Sequence, residues 1–226
     1  EVKRIDTLKF PKGTLIGDRA SYAYLFEWHS YYAPRALYRL QKLGIRAKVA
    51  LQPLEIATAQ GRRRFDYGTI MIALSQQSLP ADSIHLLMQQ IARDDGIDVF
   101  AVNTGFSTVG LGSSNFETVP SLRVAMLAGV GVTPMDAGEV WHLLDRRFDI
   151  DVSILELSQL GRMNLSKYTA VVMPGGNYSA LDSAGVANLR RFVVQGGTLI
   201  AMKGATEWLI QRGIVPVSYT HLTLPT

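Results

Sequence analysis

The chain has 226 residues, 47% hydrophobic and 19% charged, with a formal net charge of +4 at neutral pH. That balance belongs to a globular α/β-sized protein and excludes disorder, fibrous repeats and, since no apolar run approaches ~20 residues, a membrane-spanning helix. Cysteine is absent, which removes disulfides, thiolate-bound zinc and thiol nucleophiles together. Basic residues are scattered, and the one run, Arg62-Arg63-Arg64, has no aromatic interleaving. It reads as a solvated loop, so nucleic acid is not expected as a partner.

Glu1-Val2-Lys3 carries neither an initiating Met nor the layout of a signal peptide, so an upstream portion of the protein is expected. From there the chain reads as an α/β alternation. Residues 22–28 are apolar and aromatic, a strand; residues 31–43 place Ala36, Leu37, Leu40 and Leu43 at helical spacing, with Pro34 in the first turn and Gly44 behind. Strands follow at 45–51 and 68–74, with a loop and short strand at 52–64 between them. A helix at 80–95 turns Ile84, Leu87, Met88 and Ile91 to one side, and residues 97–102 form the next strand. The stretch 104–120, rich in Gly, Ser and Thr, has no periodicity and reads as a linker or a long functional loop.

The alternation then resumes. Strands are expected at 122–128, 151–157, 169–173 and 198–202, and helices at 135–148, 181–195 and from 205 to 212. Strands separated by single helices predict parallel sheets with right-handed crossovers, so the fold expected is two consecutive Rossmann- or flavodoxin-like units. Their bounds are 14–104 and 121–214, joined by a linker at 105–120. Tyr67 with Tyr168, Asp82 with Asp182 and Gly96 with Gly196 match at an offset of about 100 residues, which reads either as a duplication or as common α/β grammar. Residues 215–226 break the pattern and look like a non-native tail, leaving His221 without functional weight.

Ligands of such sheets bind beyond the carboxyl ends of the strands, where three segments of the second half converge. Gly129 to Glu139 is a glycine loop running into a helix, with Gly131, Thr133, Asp136 and Glu139 as candidates. Pro134 breaks the dinucleotide pattern, so no nicotinamide cofactor is expected. Gly175, Gly176 and Asn177 follow a buried strand, where paired glycines can aim backbone N–H groups at a ligand or simply form a turn. Gly196-Gly197-Thr198-Leu199-Ile200-Ala201-Met202-Lys203-Gly204 is a strand ending in a sharp turn into a helix, the kind of bend that presents a nucleophile.

The Pro-Gly-Gly and Gly-Gly-Thr-Leu-Ile-Ala segments resemble the class I glutamine-amidotransferase-like superfamily. Longer stretches extend the resemblance: Tyr24-Leu25-Phe26-Glu27-Trp28, Tyr31-Tyr32-Ala33-Pro34-Arg35-Ala36-Leu37-Tyr38, Ala101-Val102-Asn103-Thr104-Gly105 and Ala137-Gly138-Glu139-Val140-Trp141-His142-Leu143-Leu144-Asp145. Together they resemble the C-terminal region of bacterial zinc carboxypeptidase family proteins. The resemblance implies a metallopeptidase domain upstream that carries zinc and is this region's partner, a possible small-molecule ligand, and a periplasmic or extracellular setting.

The catalytic residues do not carry over. Where amidotransferase relatives present Cys, this chain has Lys203, within one residue. Thiol acyl transfer needs a thiolate and a base, so no catalytic residue is assigned. No His-x-x-Glu pair occurs among His29, His85, His142 and His221, so no metal ligand and no cofactor are assigned to these residues. His142 with Asp145 comes nearest and reads as a polar contact. In some relatives an acidic residue on the first helix reaches toward this turn, and the resemblance gives that position to Glu139, where a Glu139–Lys203 ion pair could fill the site, or both could stand in solvent. The expected function is a non-catalytic accessory or ligand-binding region, with a small-molecule hydrolase or sensor as the alternatives.

Overall fold

A computed structural model describes residues 12–215 and divides the chain into two compact units between Ser121 and Leu122. The first unit contains, in chain order, β1 (Leu15–Ile16), β2 (Ala23–Phe26), α1 (Ala33–Lys42), β3 (Lys48–Ala50), β4 (Leu54–Thr58), β5 (Gly61–Phe65), β6 (Ile70–Ala73), α2 (Ala81–Asp95), β7 (Val99–Val102) and β8 (Phe116–Thr118). Pro34 lies in the first turn of α1, and α2 stops at Gly96, whose left-handed φ of 65° suits glycine.

Six strands form one sheet in the order β1-β7-β2-β6-β3-β8. The expectation of a parallel sheet fails here: β2 is antiparallel to both β6 and β7, and β3 to β6 and β8. Each helix still joins two strands that run the same way, β2 to β3 through α1 and β6 to β7 through α2. The two crossovers interdigitate head to tail, the split βαβ arrangement. A chain-order reading sees the helical crossovers but not which strand slots between which.

Helices α1 and α2 cover one face of this sheet around Tyr24, Phe26, Leu40, Ile72, Ile84 and Met88. The opposite face is covered by an antiparallel hairpin, β4 with β5, through Leu54, Ile56 and Phe65. The segment expected as a loop with a short strand is therefore a two-stranded hairpin. The linker expected at 105–120 is also part of this unit: β8 extends the sheet beyond β3, Ser107 bridges to Ile56, and Leu111 and Phe116 are core residues. The polar composition of the stretch conceals these few apolar anchors.

The second unit contains β9 (Val124–Ala128), α3 (Pro134–Trp141), β10 (Val152–Glu156), β11 (Ala170–Met173), α4 (Ser183–Val194), β12 (Thr198–Ala201) and α5 (Gly204–Gln211). Its four strands are all parallel, in the order β10-β9-β11-β12. Here the parallel expectation holds, and the order is the doubly wound, flavodoxin-like one. The two sheets differ in topology, so the matched residues at helix starts and strand ends are common α/β grammar rather than a repeated fold.

Alternate residues of β9 to β12, including Leu127, Leu155, Val171 and Met173, pack against Leu189 and Phe192 of α4 and Trp208 and Leu209 of α5. Asp182 caps α4 by accepting from Gly185 N–H at 2.7 Å. The helix expected through residue 148 is α-helical only to Trp141 and continues as a π-turn over His142–Arg147. The tail segment lies outside the described residues apart from Val215.

Candidate functional site

Between β9 and β11 the winding of the second sheet reverses, and the loops leaving these strands part to opposite sides of a crevice. Main-chain bonds pin them together. Thr133 N–H donates to Gly175 O at 2.8 Å, and Asn177 N–H donates to Gly131 O at 2.7 Å. Val132 and Gly176 face each other between these bonds. A Cβ on Gly131, whose φ is +101°, would collide with the Asn177 carbonyl, and one on Gly176 would collide with the Gly131 carbonyl. Glycine is used here because two backbones touch.

The loop after β11 is locked from below by a residue the sequence reading did not single out. Tyr178 is fully buried, donates its hydroxyl to Pro174 O at 2.8 Å and lies 5.9 Å from the Trp208 ring. Burial pushes its phenol far above the ordinary range, so it stays a neutral donor. An aromatic residue directly behind Pro-Gly-Gly-Asn was the available signal.

The third segment is the bend between β12 and α5. Lys203 makes it with φ 51° and ψ −127°, a backbone conformation that a side chain adopts only under constraint. Gly204 follows because a Cβ there would come within 2.8 Å of Gly176 O. Thr206 closes the turn, donating its hydroxyl to Ala201 O at 3.1 Å and its N–H to Lys203 O at 3.0 Å.

From this bend Lys203 Nζ reaches Asp136 Oδ1 at 2.6 Å. Asp136 sits in the first turn of α3, where the helix dipole favours a carboxylate. Its side chain is 11% exposed against 69% for Lys203. The second carboxylate oxygen rests against Gly175, where any Cβ would collide with it. The hydrogen bond to Asp136 and then the Asp136 charge raise the Lys203 pKa above its ordinary 10.5, with the smallest help from Glu139. Lys203 is therefore an ammonium at neutral pH, with no lone pair for attack.

This arrangement is neither of the two alternatives read for Glu139 and Lys203, an ion pair between them or both in solvent. Glu139 is exposed one turn further along α3, and Lys203 is taken by Asp136, for which the missing Gly175 side chain leaves room. Gly131, Thr133, Asp136, Gly175, Gly176, Asn177 and Lys203 do meet at the crevice. Comparison with known proteins finds no matching family model, no matching curated protein and no matching solved structure.

On the sheet side of Met126 and Ile154, the Gly129–Gly131 loop and α3 enclose an apolar groove of about 760 Å³ that includes Pro134 and Trp141. The crevice therefore combines a fixed ion pair, close-packed backbone and a neighbouring apolar wall. For zinc the donors do not fit: among the described residues no group of three or more His, Asp or Glu side chains could hold a metal. His142 and Asp145 stand on the π-turn without a third donor.

Proposed function

We propose that the second unit is a non-catalytic, ligand-binding accessory region, its nucleophile elbow given over to an ion pair. In this reading it belongs to a zinc-carboxypeptidase-like protein whose peptidase domain, with its zinc, lies upstream and is its partner. The observation that carries the proposal is Lys203, which occupies a constrained strand-to-helix bend where a nucleophile would stand, and is bound as an ammonium to Asp136 at 2.6 Å. A group held protonated cannot open an acyl transfer, but a preformed cation–carboxylate pair beside an apolar groove can orient a small polar molecule.

The test uses the purified full chain. Ester, amide and aldehyde substrates should show no turnover above buffer. A panel of small carboxylates, amino acids and dipeptides, read by calorimetry, should contain a saturable binder whose affinity falls about tenfold or more in Lys203→Ala. Turnover abolished by Glu139→Gln would instead make the crevice that of a small-molecule hydrolase. Absence of both turnover and binding would leave only the accessory role.

A further inference from the structure

Away from the crevice, α4 and α5 border a second groove of about 510 Å³. Its floor is apolar, made by Leu181, Val186, Ala187 and Val194, and Val194 is 81% exposed. Three arginines stand around it: Arg190 and Arg191 on α4, and Arg212 just past α5. Their partners are neutral. Arg190 donates to Arg212 O at 3.0 Å, Arg191 to Asn188 Oδ1 at 3.4 Å, and the Arg212 guanidinium lies 5.7 Å from the Trp208 ring centre. Among the described residues none of the three is in an ion pair, so the patch carries an uncompensated positive charge beside exposed aliphatic surface.

We propose that this groove docks an acidic amphipathic helix of a partner protein. Exposed valine beside guanidinium groups is the composition of an interface core with an arginine rim, and arginine is enriched at such sites. The lining residues Ser183, Ala187, Arg190 and Val194 repeat along one side of α4, a track of about 16 Å at 1.5 Å per residue, or three helical turns. A helix laid there buries its apolar side on Val186 and Val194 and sets carboxylates against the arginines. Nucleic acid is disfavoured because the floor is aliphatic and Trp208 is buried beneath Arg212, leaving no ring for a base to stack on.

The experiment uses the full chain and a fluorescein-labelled peptide of about 15 residues with Leu on one helical face and Glu on the other. Fluorescence anisotropy should saturate and weaken as salt rises. Arg191→Glu, whose side chain is exposed, should weaken binding about tenfold. Val194→Asp, at an 81% exposed position, should weaken it independently of any folding defect, with circular dichroism and melting temperature confirming the fold. The proposal is overturned by no saturation, by equal binding of a scrambled peptide of the same composition, by variants that bind unchanged, or by heparin or phosphatidylserine vesicles binding while the peptide does not.

Discussion

Asp95 lies at the end of α2 with a fully buried side chain, and it joins that helix to α1. Arg35 Nε donates to its Oδ1 at 2.5 Å. Arg39 comes within 3.5 Å of Oδ2, close enough for Coulomb attraction but misaligned, so Oδ2 accepts no hydrogen bond. Burial raises the Asp95 pKa above the ordinary 3.8, against the lowering effect of Arg39 and Arg35. A raised carboxylate pKa means that its favourable contribution is complete below pH 3.8 and is lost as pH rises through the folded value. At neutral pH the two arginines offset the cost of a buried charge. Arg35→Ala should therefore cost about 3 kcal/mol at pH 7 by urea unfolding, and the loss should shrink as the pH approaches 4. An equal loss at both pH values would assign the effect to packing of Arg35 on Tyr32, whose ring centre it approaches at 3.9 Å.

At the scale of elements, pieces of irregular chain are held by single side chains. Asn188 of α4 is buried and donates from Nδ2 to both Leu160 O and Met163 O at 2.8 Å, fixing the 3-10 turns that follow β10. Asn188→Ala removes both bonds; Leu160 O keeps the Met163 N–H as a donor at 3.3 Å while Met163 O loses its side-chain donor, and stability should fall by about 2 kcal/mol in denaturant titration. No local pattern announces such a residue, because its partners lie 28 and 25 positions away. The regular elements were far more legible. Apolar spacing predicts α1 and α2, and the expected helix at 181–195 and strands at 97–102, 122–128 and 169–173 match α4, β7, β9 and β11 within a few residues. The β4–β5 hairpin was less visible because Arg62, Arg63 and Arg64 mask its alternation. Arg63 spends its charge on Glu27, at 2.7 Å, and lies over Phe100 at 4.2 Å.

For the molecule as a whole, the division at Ser121 and Leu122 separates two cores of different construction. The clusters around Tyr24 and around Phe65 draw every member from the first unit, and the cluster around Val171 draws every member from the second. Residues 12–121 expressed alone should therefore give a dispersed amide spectrum and a single cooperative thermal transition. A molten, dye-binding product would mean that this core is incomplete without the rest of the chain. The glycine-rich stretch before the boundary must be retained, since β8 and the Leu111 and Phe116 anchors lie within it.

Sequence alone determined the α/β class, the helices and most strands, the parallel order of the second sheet, the absence of a thiol and the three glycine-bearing segments that meet at the crevice. These depend on local spacing and on backbone geometry that only certain residues adopt. Tertiary structure decided the rest: the interdigitated mixed sheet of the first unit, in which only β1 and β7 pair in parallel, the folding of the supposed linker into it, and the choice of Asp136 over Glu139 as partner of Lys203. Each is settled by what lies across space, a neighbouring strand or the empty Cβ position of Gly175. Distance along the chain does not encode that neighbour.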